Sequence, residues 1–127
     1  MRHHYKKYKA FVSSDWNECL APCGPFDFIS FNYPQFAGEL ETIFKQYTGN
    51  RISLGKAVRQ IQQLLPAPIT RQQMDRYLED SFITYSGVRE LIEWCHHRSI
   101  LFMINTTGTI GYFQRAFAKN LLPKVPL

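Results

Sequence analysis

Five consecutive apolar residues, ILFMI at 100–104, sit between two stretches with helical periodicity. A continuous apolar run of that length, bounded by turn residues, reads as a strand buried on both faces. Before it, YSGVRELIEWCHHRS places Val88, Leu91, Ile92 and Cys95 on one helical face, with Arg89, Glu90 and Glu93 outside. After it, TTGTIGYFQRAFAKNLL reads as a turn feeding a helix that Pro123 stops. A buried strand framed by helices is the repeating unit of α/β proteins, and it needs a parallel neighbour. YKAFVSS, residues 8–14, is the candidate. It is apolar at its centre, small and polar at its end, and reads as a second buried parallel strand.

A helical block separates the two strands. In QFAGELETIFKQYTG, Phe36, Leu40, Ile43, Phe44 and Tyr47 recur at helical spacing. SLGKAVRQIQQLL has Ser53 as N-cap, a stripe of Val58, Ile61, Leu64 and Leu65, and Pro66 as its end. TRQQMDRYLEDSF repeats the design, with Thr70 as N-cap and Met74, Tyr77, Leu78 and Phe82 inward. LAPCGPFDFISFNYP, residues 20–34, holds three prolines and a glycine and predicts loop or broken structure. The aromatics Phe26, Phe28, Phe31, Tyr33 and Phe36 read as packing for this block rather than as a substrate pocket. The expected architecture is α/β, with a core at 1–23 and 85–127 and a helical insertion at 24–84.

With 45% hydrophobic and 20% charged residues, the 127-residue composition is that of a folded globule, not a disordered chain. No apolar run reaches the roughly 20 residues that span a bilayer, and MRHHYKKYK lacks the apolar region of a signal peptide. The reading is therefore a cytoplasmic protein with no membrane partner. The net charge of +5 favours an anionic ligand but is too small to announce nucleic acid. Arg2, Lys6, Lys7 and Lys9 read as a solvated lead-in. Cys19, Cys23 and Cys95 form no C-x2-C pair, and the adjacent His96 and His97 point in different directions, so they predict reduced thiols rather than a metal site.

Ligands of open α/β sheets sit beyond the carboxyl ends of the strands. One such end presents Ser14, Asp15, Trp16 and Asn17. The other presents Asn105, Thr106, Thr107 and Gly108 before a helix. If the strands adjoin, Asp15 and Thr106 face one crevice, and free N–H groups of Thr107 and Gly108 with the helix dipole favour an anion.

These residues carry a resemblance. FVSSDWNECL resembles the first motif of the haloacid-dehalogenase-like superfamily, an apolar strand followed by D-x-D-G-T-L. ILFMINTTG resembles its second, an apolar strand ending in Ser or Thr. The block between is similar to the small helical cap of phosphoserine-phosphatase-like members. ISLGKAVRQIQQLLP and GVRELIEWCHHRSILFMI look like segments of the methionine-salvage enolase-phosphatase branch. The likeness runs from about residue 9 and covers the N-terminal half of that family's core. It implies a Rossmannoid core with a shortened parallel sheet, and Mg2+-dependent phosphomonoester hydrolysis through an aspartyl-phosphate. Asp15 would be nucleophile and metal ligand, and the Asn17 backbone carbonyl a second ligand. Thr106, with Thr107 and Gly108, would hold the phosphoryl oxygens of a small phosphorylated molecule.

The departures from the family pattern weigh against activity. Its second aspartate is the general acid/base. Asn17 stands there and transfers no proton, a function typically worth about 10²- to 10⁴-fold. Glu18 and Cys19 replace the Gly and Thr that follow. The family's later lysine and acidic pair have no counterpart: after Thr106 only Lys119 and Lys124 remain, and no acid occurs beyond Glu93. The Mg2+ site implied by the resemblance is thus incomplete, and hydrolysis is expected to be weak or lost. The alternative is a non-catalytic phosphate-ligand or protein-interaction module. Two parallel strands also make a poor sheet. Either a copy of the chain or a partner chain covers the open edge, or the irregular C-terminal LLPKVPL completes the core.

Overall fold

A computed structural model describes residues 7–127. Of the basic lead-in, Arg2 and Lys6 lie outside the described residues. The elements run β1 (Ala10–Ser14), α1 (Asp27–Asn32), α2 (Ala37–Thr48), α3 (Leu54–Leu64), α4 (Arg71–Ser81), α5 (Val88–His97), β2 (Ile100–Ile104) and α6 (Ile110–Ala118), with a 3-10 turn at Pro34–Phe36. The protein is thus mixed α/β. None of these helices is long and apolar enough to cross a membrane. The chain divides into two compact units. One takes the described residues through Gly24 together with Phe82–Leu127, and the other is Pro25–Ser81.

In the strand unit β1 and β2 pair in parallel, Ala10 opposite Ile100 through Ser14 opposite Ile104. Phe102 and Ile104 point into the core, and α5 packs on β2, burying Val88, Ile92 and Cys95. Leu91, expected on the same face, is exposed. Helix α6 adds buried Tyr112, Phe113 and Ala116. Past it the irregular C-terminal segment buries Leu122 and Val125, and the Ile104 N–H donates to the Pro126 carbonyl at 2.9 Å. That bond uses the edge of β2 turned away from β1, so β2 is the inner strand and β1 the outer one.

This corrects the expectation for β1. It forms where predicted, but it is exposed along nearly its whole length, because the faces of a parallel sheet are buried by the helices that cover them and α5 packs on β2. The chain reverses between α5 and β2 at Ser99, whose φ of 56° is left-handed.

In the helical unit α2 packs on α3 and α1 on α4. Leu40, Ile43, Ala57, Ile61, Met74, Tyr77 and Leu78 are buried. The prolines and glycine at 20–34 do not keep the chain irregular throughout: α1 forms within that stretch and buries Phe28 and Ile29. The ring of Tyr77 on α4 lies 6.4 Å from Phe28 and 5.5 Å from Phe31, and Phe26 meets Phe44 at 6.0 Å. Aromatic packing overrides weak local helix propensity there. On α3 the inward stripe turns by one residue from expectation, with Ala57 buried and Val58 exposed.

Both expected caps are made. The Lys56 N–H donates to Ser53 Oγ at 3.1 Å. Thr70 and Gln73 form a reciprocal capping box: the Gln73 N–H donates to Thr70 Oγ1 at 3.1 Å, and the Thr70 N–H to Gln73 Oε1 at 2.8 Å. Ser53→Ala and Thr70→Ala should each lower stability by about 1 kcal/mol, read as a reduced urea midpoint of the far-ultraviolet helical signal.

Candidate functional site

The parallel register brings the carboxyl ends of β1 and β2 side by side. The ladder closes with the Asn105 N–H donating to the Ser14 carbonyl at 2.7 Å. Asp15 follows β1 directly, and Thr106 follows β2 by two residues. Asn17 reaches across to the second strand end: its Oδ1 lies 4.0 Å from where a Cβ on Gly108 would sit, and Thr106 Oγ1 lies 3.2 Å from the same point. Asn17, Thr106 and Gly108 therefore form one cluster, and a side chain at position 108 would crowd it. Asp15 is exposed at the rim, and its Oδ1 accepts the Trp16 N–H at 2.7 Å.

The turn after β2 differs from expectation in one donor. The Gly108 N–H is not free, because it donates to Thr106 Oγ1 at 3.0 Å. That bond fixes the hydroxyl oxygen and leaves its hydrogen to reach an incoming acceptor. Thr107 is exposed and Thr106 half-buried beside it. Helix α6 begins shortly afterwards at Ile110, behind Thr109, with no side chain capping its first turn. Uncapped N–H groups at a helix start carry partial positive charge.

The loop after Asp15 is drawn tight around one carbonyl. The Trp16 C=O accepts from the N–H groups of Cys19 at 3.1 Å, Leu20 at 2.9 Å and Ala21 at 3.2 Å. The Glu18 N–H returns to the Ala21 carbonyl at 2.7 Å, and Glu18 itself adopts φ 56°. Left-handed backbone costs a side-chain-bearing residue roughly 1–2 kcal/mol.

Trp16, expected among the residues presented at the end of β1, is instead turned into the core. It is 1% exposed, with ring centroids 5.2 Å from Phe113, 6.0 Å from Tyr112 and 6.3 Å from Phe82. Phe82, expected among the helical block's inward residues, thus belongs to the packing of the strand unit. The signal was available: continuing the two-residue alternation of β1 past Ser14 turns Trp16 to the side of Val12 and Phe102. The Trp16 Nε1–H is buried without a hydrogen-bond partner among the described residues.

The donor set does not fit a resident divalent cation. One oxygen of the Asp15 carboxylate is committed to the Trp16 N–H, and Asn17 brings an amide where a carboxylate would neutralise the ion. No three His, Cys, Asp or Glu side chains converge among the described residues. Mg2+ asks for a near-octahedral oxygen shell. A concavity of about 550 Å3 lies in the helical unit, lined by Glu39, Gln46, Gln60 and Gln63 among others. Its lining includes a carboxylate and no cationic side chain, so it is no place for an anion. No family model, curated protein or solved structure matches this chain.

Two substitutions separate the rim loop's strain from its anchor. Glu18→Gly should stabilise the protein by about 0.5–1 kcal/mol, the left-handed strain relieved less the added freedom of the unfolded chain. Trp16→Ala should destabilise it by about 3–5 kcal/mol, a large part of a typical domain's stability. Chemical denaturation of both variants beside the parent checks the signs and the order.

Proposed function

We propose that this chain is a haloacid-dehalogenase-like protein that receives phosphate or a small phosphorylated molecule at the β1/β2 rim, with hydrolysis through an aspartyl-phosphate weak or lost. The observation that carries this reading is the clustering of Asn17, Thr106 and Gly108 where two parallel strands end side by side. The Thr106 hydroxyl, the exposed turn at Thr107 and the uncapped first turn of α6 supply donors suited to an anion.

Charge decides between holding and cleaving. A carboxylate pair facing a phosphoester repels it unless a divalent cation stands between them. With Asn17 in the second position, one charge is gone and an amide N–H is gained, which favours a bound anion without metal. The same exchange removes the proton that a leaving alcohol needs. Asp15 then remains a nucleophile without an acid.

Inorganic phosphate should raise the melting temperature without Mg2+, and at a hundredfold excess over Kd by the equivalent of about 2.7 kcal/mol. Thr106→Val should weaken phosphate binding about tenfold or more, since a hydrogen bond to a charged group contributes about 1.5–3 kcal/mol, and Thr106→Ser should retain it. An aryl phosphate should be hydrolysed no faster than by Asp15→Asn. Absence of phosphate stabilisation overturns the binding reading, and Mg2+-dependent turnover lost in Asp15→Asn overturns the loss of catalysis.

A further inference from the structure

The amino ends of the two strands gather cations and aromatic rings. The Lys9 N–H donates to the Ser99 carbonyl at 2.9 Å, which ties the residues entering β1 to the turn entering β2. Lys7, Lys9 and Arg98 are exposed there, and His96 and His97 are exposed in the last turn of α5. Two rings accompany them, Tyr8 at 43% and Trp94 at 49% exposure. The Arg98 guanidinium lies over the Trp94 ring, 4.6 Å from its centre, and braces it. Acids are kept away. No Asp or Glu occurs in residues 1–14 or beyond Glu93, and Glu93 faces Arg89 at 3.7 Å. The helical unit, Pro25–Ser81, holds as many acids as bases, so the whole net charge of +5 belongs to the rest of the sequence. Asp15 lies past the opposite end of β1, about 20 Å from Lys9 along an extended strand.

We propose that this end of the strand unit binds single-stranded nucleic acid, with phosphates on Lys7, Lys9 and Arg98 and unpaired bases stacked on Trp94 and Tyr8. The total charge is modest, and its segregation is what matters. Cations of one sign, with no acid among them, attract a polyanion and gain from the counterions it releases. The rings then select among polyanions. An exposed indole braced by a guanidinium offers a flat π surface, and an unpaired base has the matching face. A duplex hides its base faces in the stack, and a phospholipid headgroup has no flat ring to offer. Phosphate contacts and stacking carry no base-edge code, so binding tolerates sequence. The surface exists only in the folded chain, because Lys9 and Arg98 are brought together by the pairing of β1 with β2. It lies away from the rim, and it holds or fails independently of phosphate binding there.

Fluorescence anisotropy of a labelled oligouridylate titrated with the full chain should show saturable binding that salt weakens. For three phosphate contacts, log K should fall against log salt with a slope of about −2. Lys9→Glu and Arg98→Glu should each weaken binding about tenfold. Lys56→Glu on α3 makes the same change of charge in the helical unit and should leave binding unchanged. Trp94→Ala should weaken it about tenfold, and Trp94→Tyr should retain it. The substituted side chains are exposed, so each variant should melt as the parent does. Vesicles of phosphatidylserine and phosphatidylcholine should not displace the oligonucleotide. Absence of binding at low salt, equal weakening by Lys56→Glu and Lys9→Glu, indifference to Trp94→Ala, or displacement by the vesicles overturns the proposal.

Discussion

One hydrogen bond governs the functional geometry of this protein, the one from the Asn105 N–H to the Ser14 carbonyl at the last rung of a two-strand ladder. It holds two chain segments some ninety residues apart in sequence in one parallel register. Asp15 and Thr106 leave the sheet at the same end because that rung is in place. The same rung sets which backbone groups of β1 point outward, so the geometry of the rim and that of the outer edge share a cause.

How much of this was legible in the sequence varied with how local the physics is. Ser53 and Thr70 were readable as caps because capping is settled within four residues. β2 was readable because continuous apolar character between helices has few other uses. The exposure of β1 was not, since burial of a strand depends on what packs on its faces, a property of the assembled fold. Helix α1 was hidden by its flanking prolines, and the rings of Tyr77 and Phe44, distant in sequence, give it something to pack on. At the rim, Asp15, Asn17 and Thr106 were nameable from their position after strands. That the Gly108 N–H is spent on Thr106 was not, because it depends on a side-chain rotamer within the turn.

Two neighbouring residues of the rim, Asn17 and Glu18, matter in different ways. Asn17 bears on chemistry, since its amide donates and accepts hydrogen bonds but moves no proton. Glu18 alters backbone energetics, placing a bulky acid at φ 56°. The loop nevertheless keeps its shape because three N–H groups converge on the Trp16 carbonyl while the indole is locked among Phe82, Tyr112 and Phe113. Conformation there is dictated by an anchored neighbour rather than by the preference of the residue that bears the strain.

The placing of Trp16 gives the molecule a built-in optical reporter. The chain has two tryptophans, and the other, Trp94, is half exposed on α5 with the Arg98 guanidinium 4.6 Å from its ring centre. An indole shut away from water emits at shorter wavelength than a wetted one, so the two emissions separate. The blue component comes from the residue wedged between Asp15 and Asn17, and its colour and quenching report directly on what happens at the strand ends.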